Sequence, residues 1–154
     1  MKMFQVICLV LMTTATSVIA SNVINESENP QFLFVLSAES GSYDGEMLTL
    51  TGVPSVVYFS DRPYRIAGHM SVEEFVEMWG EGADDFVVDP PNAALSIFDS
   101  NGNYNVVVEL IDLQSGSETI IFNVRVLQGS IPTSFGVASL FIDPINQNGQ
   151  WTGT

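Results

Sequence analysis

From Phe32 onward the chain reads as short runs in which apolar and polar positions alternate, separated by clusters of Gly, Pro, Ser, Asn and Asp. Alternation with period two marks a half-buried strand, and the clusters supply the turns. Strands are therefore expected at Phe32 to Ala38, Met47 to Thr51, Val56 to Ser60, Ala93 to Phe98, Asn105 to Leu113, Glu118 to Leu127 and Val137 to Ile142. Glu39 to Glu46 (ESGSYDGE) reads as turn chemistry. Asp61 to Met70 reads as irregular. Asp84 to Asn92 (DDFVVDPPN) reads as extended, because Pro90-Pro91 bars a helix. Asn101-Gly102 is the strongest hairpin turn.

A different period appears once. Ser71 and Glu74 form an S-x-x-E capping box, which satisfies two orphan amide donors at a helix start. Val72, Phe75, Val76 and Trp79 follow at helical spacing, Glu73, Glu74 and Glu77 lie near the start or on the outer face, and Gly80 and Gly82 end the helix. Trp79, on the apolar face, is expected in the core.

The second hairpin can be tested for register. If Gln114 faces Glu118, then Leu110 faces Phe122 and Val108 faces Val124. Val106, Val108, Leu110, Ile120, Phe122, Val124 and Val126 then share one face, with Glu109, Asn123 and Arg125 on the other. A slip by one residue would bury Glu109, so the first register is favoured. These elements predict a mainly β domain over residues 32–143. It is an antiparallel β-sandwich, or a barrel-like relative, of about seven strands with one short helical insertion.

The ends differ from this pattern. Met1-Lys2 followed by the apolar run Phe4 to Leu11, and Val18-Ile19-Ala20 before Ser21, have the form of a signal peptide over residues 1–20. The run is too short to span a bilayer, which takes ~20 residues; a retained N-terminal anchor is the competing reading. Cleavage would leave no integral membrane span and would remove Cys8, so the exported domain would have no thiol for a disulfide or a metal. Residues 21–31 read as a polar, flexible arm containing the sequon Asn25-Glu26-Ser27, and residues 144–154 as a polar tail in which Trp151 is free to pack back. The expected location is secreted or periplasmic.

Composition changes the picture chiefly through charge. Hydrophobic residues make up 46% of the chain, enough for a core. Eighteen acids face four bases, a formal charge of −14. Such a surface argues against nucleic-acid and anionic-membrane binding, whose sequence-independent part needs basic residues. The expected partner is a ligand or protein of unknown identity.

The segments Tyr58-Phe59-Ser60-Asp61-Arg62-Pro63, Asp89-Pro90-Pro91-Asn92-Ala93-Ala94 and Ala138-Ser139-Leu140-Phe141-Ile142-Asp143, with Arg65, Ala67-Gly68, Phe75 and Trp79, resemble a group of small exported bacterial proteins of unassigned function. The resemblance covers about half of the mature chain. It implies a predominantly β domain and export, and carries no activity, cofactor or catalytic residue.

Within this acidic chain the cations are concentrated. Arg62, Arg65 and His69 all lie between Asp61 and Met70. As a site they would form an anion or carboxylate pocket, since the arginine fork holds carboxylates by paired hydrogen bonds and histidine titrates near neutral pH. Tyr64, between the arginines, would be the aromatic facing a ligand. As structure, the arginines would instead pair with Asp61, Asp84, Asp85 or Asp89 and pin the loop to the DPPN segment. The candidate ligand-binding set is thus Asp61, Arg62, Tyr64, Arg65, His69 and Asp89. A small hydrolase-like enzyme using His69 and Asp61, with the arginines steadying an anion, is the alternative from another class. A calcium-dependent adhesion module using Asp84, Asp85, Asp89 and Asp143 is a third, set against a simple solvated acidic surface. Asp99 to Asn103 imitates an EF-hand start, but Tyr104 and Leu110 stand where glycine and glutamate are needed. One histidine and no exported cysteine argue against zinc, no nucleophile elbow is present, and no cofactor is implied.

Overall fold

The computed structural model describes residues 30–80, 86–99, 102–116 and 118–143. The expected leader, arm residues 21–29, Asp84, Asp85, Asn101, Ser117 and the tail with Trp151 lie outside them. The described elements are β1 (Phe32–Ala38), β2 (Ser40–Tyr43), β3 (Met47–Thr51), β4 (Val56–Ser60), β5 (Ala67–Met70), α1 (Val72–Trp79), β6 (Asn92–Asp99), β7 (Gly102–Gly116), β8 (Thr119–Gln128), β9 (Ser134–Phe135) and β10 (Ala138–Ile142). The fold is mainly β and antiparallel, with one short helix. All ten described strands join in one sheet, ordered β5-β4-β1-β10-β6-β7-β8-β3-β2-β9, which does not close into a barrel.

The sheet curls around its inner face in the manner of a sandwich, with the apolar side of α1 packed against that face and its glutamates in solvent. Phe34 on β1 and Phe122 on β8 approach the helix from opposite sides: Phe34 and Phe75 have ring centroids 5.5 Å apart, and Trp79 and Phe122 5.8 Å apart. Phe86 closes the cluster 4.4 Å from Trp79. The helix buries Phe75, Met78 and Trp79, while Val72 and Val76 are half-buried, so its apolar stripe is turned slightly from the expected one. The Trp79 indole nitrogen is buried with no hydrogen-bond partner among the described residues.

Three strands arise where the sequence predicts none. Ser40–Tyr43, expected as turn, is β2, and only Asp44 to Glu46 turns the chain. Its outward positions are serines, so it lacks an apolar alternation, and it is held from its partner side: Gly41 lies opposite Phe135, whose ring packs over the missing side chain. Ala67–Met70, expected as irregular, is β5 and pairs with β4 from Val56↔Met70 to Phe59↔Ala67. Ser134–Phe135 forms the short β9.

The expected register of the second hairpin is corrected, although its faces are right. Leu110 pairs with Val124 and Val108 with Val126, while beyond a bulge Leu113 pairs with Phe122 and Gly116 with Thr119. The turn is tighter than a three-residue loop and contains Glu118 at φ 58°. Carried unchanged along the ladder, that pairing would put Glu109 on the core face. The irregularity between Leu110 and Asp112 restores the phase, because one extra residue shifts alternation by one. Ile111 and Asp112 both stay exposed, and Val106, Val108 and Leu110 are buried.

The capping box is present. The Glu74 N–H donates to Ser71 Oγ at 3.1 Å, and the Ser71 N–H donates to the Glu74 carboxylate at 2.7 Å. The bond from the Ser71 backbone, then that from its side chain, and a smaller effect of the His69 charge hold the Glu74 carboxyl below its usual range. Asp44 is lowered likewise by the Met47 and Glu46 amides. With the folded-state pKa depressed, the stabilisation is complete above the unfolded glutamate value of about 4.3. It is lost as the pH falls through the folded value. Ser71→Ala should cost about 1 kcal/mol at neutral pH. Urea midpoints should show Glu74→Gln less stable than wild type near neutrality, the two converging in acid once the wild-type carboxylate is protonated.

Candidate functional site

Residues 61–66 form the connection between β4 and β5, and the backbone fixes them closely. The Ser60 N–H donates to the Ile66 carbonyl at 2.8 Å, and the Ile66 N–H to Ser60 Oγ at 2.8 Å. Asp61 ties the loop to the start of β1: its N–H donates to the Gln31 carbonyl at 3.0 Å, and its Oδ1 accepts the Gln31 N–H at 3.3 Å. The Arg62–Pro63 peptide is cis. Arg65 sits at φ 55°, a left-handed conformation that costs a residue with a Cβ roughly 1 kcal/mol. Only Ile66 of the loop is half-buried, so the polar residues are turned to solvent around an apolar anchor.

The sequence-selected residues are placed as follows. Asp61, Arg62, Tyr64 and Arg65 are all exposed on this loop, with Tyr64 43% accessible. Strand pairing sets Phe32 beside Ser60, Phe34 beside Ile142 and Ala93 beside Ile142. The loop therefore shares one end of the sheet with Asp143 and with Asp89, which is exposed in the bend before β6. His69 lies two residues into β5, across from Val57, and faces solvent. Its charge acts on Glu74. Among the described residues His69 and Asp61 make no hydrogen bond to each other, and the Asp61 carboxylate receives the Gln31 amide.

Charge pairing is distinctive. Arg125 pairs with Glu109 across β7 and β8. Among the described residues neither Arg62 nor Arg65 has a carboxylate within salt-bridge distance, Asp61 and Asp89 included; Asp84 and Asp85 lie outside the described set. Two guanidinium groups thus stand in water on a chain of formal charge −14. Among the described residues no three His, Cys, Asp or Glu side chains are grouped so as to hold a metal ion.

Two clefts lined by described residues lie away from this loop. A cleft of about 490 Å³ opens at the opposite end of β1, lined by Glu39, Gly52, Val53, Pro54, Glu118 and Val137. A smaller one of about 290 Å³ lies over Ala94 on the outer face, between Phe141 and Val107. That outer face carries a feature missed by period-two reasoning. His69, Val57, Val35, Phe141, Ala94 and Val107 pair in sequence across six strands into a single transverse row. The signal was available in the runs FLFVL, VVYF and SLFI, which are apolar on both faces and so resemble strands covered on both sides. No helix among the described residues is long and apolar enough to cross a membrane. Compared with protein-family models, curated proteins and solved structures, the chain matches none.

Proposed function

We propose that this is an exported, non-catalytic binding domain that recognises a carboxylate-bearing ligand or partner through the Asp61–His69 loop. The observation that carries this reading is the exposure of Arg62 and Arg65 without a carboxylate partner among the described residues, on a loop whose backbone is tied down. A structural role would spend the guanidinium groups on neighbouring acids; a recognition role leaves them to bond a partner's carboxylates in pairs. The fixed backbone lowers the ordering cost of binding. Export is supported by the leader-like residues 1–20, and the acidic surface by the composition.

The three arginines of residues 21–154 provide an internal control. Titration with a glutamate-rich hexapeptide, followed by nuclear magnetic resonance of the arginine Nε–H groups, should move the Arg62 and Arg65 signals and leave Arg125, already paired to Glu109, in place. Arg62→Ala and Arg65→Ala should each abolish the response of the remaining loop arginine while changing stability by no more than about 0.5 kcal/mol, as for other exposed sites. Unmoved loop signals, or a response at Arg125 alone, would reject the reading.

A further inference from the structure

We propose that the partner is a second copy of this chain, docked face to face across the outer apolar row with the arginine loop of each copy over the acidic end of the other. This deepens the reading above and rests on it.

The outer face around this row, which includes the neighbouring pair Leu33 and Phe59, is too apolar for a solvated sheet face. Val57 is 46% exposed, Phe59 44%, Phe141 41% and Val107 36%, with Leu33 and Val35 half-buried among them. Contiguous exposed apolar surface of this kind marks an interaction site. From β5 to β7 it crosses five inter-strand spacings, about 24 Å at the usual ~4.8 Å each. A square patch of the ~800 Å² that each side of a standard interface contributes has an edge of ~28 Å.

What selects a second copy is that one two-fold operation on this face matches both shape and charge. A two-fold axis running along the strands between β1 and β10 lays β4 of one copy over β6 of the other, and β5 over β7. Shape agrees at one point: the depression over Ala94 receives Val57 of the second copy, large side chain against small. Charge agrees at another. The same operation sets the loop carrying Arg62 and Arg65 over the end that carries exposed Asp89 and Asp143. The β4–β5 corner carries Arg62 and Arg65 beside Asp61, a net positive charge, and the β10–β6 corner carries Asp89 and Asp143, so this orientation sets opposite charges over each other. A two-fold interface of this kind uses one patch twice and closes at two subunits.

Sedimentation velocity on the wild-type protein should show a dimer at micromolar concentration. Phe141→Asp, which faces outward, should give a monomer with an unchanged circular-dichroism spectrum; Val107→Asp is the second variant should the first fail to fold. Arg62→Glu with Arg65→Glu should raise the dissociation constant at least tenfold, and adding Asp89→Arg with Asp143→Arg should restore it. A wild type that stays monomeric to about 1 mM, a Kd worth only about 4 kcal/mol, overturns the dimer. So does a dimer indifferent to Phe141→Asp and Val107→Asp, or one broken by them but indifferent to the charge reversals. The peptide titration, run on monomeric Phe141→Asp so that the loop arginines are not already engaged, decides separately: a wild type that is monomeric while Arg62 and Arg65 answer the hexapeptide loses this inference and keeps the binding domain.

Discussion

Phe75→Ala should cost about 3–5 kcal/mol, the range for truncating a fully buried aromatic. Phe75 is completely inaccessible, and its ring centroid lies 5.5 Å from Phe34 and 5.7 Å from Trp79. It is the point where the helix meets the β1 side of the sheet, while Trp79 carries the contact on to Phe122. Removing the ring leaves a void between elements that are far apart in the strand order, and they cannot collapse together without moving the ladder. Against a domain stability of about 5–15 kcal/mol, the loss is a large fraction. Urea denaturation should show the midpoint falling with little change in slope. Phe75→Leu, which retains most of the volume, should lose clearly less. A truncation cost below about 1 kcal/mol would mean that the helix does not organise the interior.

Gly41→Ala is the second large effect. A Cβ at this position would run into the Phe135 ring and come 2.8 Å from the Thr49 carbonyl oxygen. Overpacking of this type costs typically 1–3 kcal/mol. The ring is 6% exposed and cannot swing out without losing its own burial. The energetic signature is coupling. Phe135→Ala alone should be destabilising, but adding Gly41→Ala to it should cost much less than adding it to wild type, because the ring conflict is gone. A double-mutant cycle should therefore give an interaction energy of at least about 1 kcal/mol. Additive effects would show that the carbonyl, not the ring, demands glycine here.

The contrast between these two sites explains what was legible beforehand. Strand runs such as MLTLT and NAALSIF declare themselves because their own side chains alternate, and the capping box declares α1 because all of its chemistry lies within four residues. β2 and β5 do not, because the reason they are extended resides in their partners: Phe135 covers Gly41, and Tyr58 lies against Gly68. Phe86 escaped notice as a core residue because it sits in a proline-rich stretch with no period to place it. The hairpin faces were readable from which residues must avoid water, but the pairing was not, since a tight turn and a compensating bulge leave the faces unchanged. At the candidate site the clustering of Arg62, Arg65 and His69 was plain. Whether their charges were matched was not, because that depends on which acids the sheet brings alongside.

The borders of the sheet are short: four residues in β5 and two in β9. Neither offers a row of free amides and carbonyls long enough to recruit another chain by strand addition, the route by which β-rich proteins run on into fibres. Growth along the hydrogen-bonding direction is thus capped at both ends. Self-association would then fall to the outer face of the curled sheet, where the two-fold pairing proposed above would use up the contact and stop.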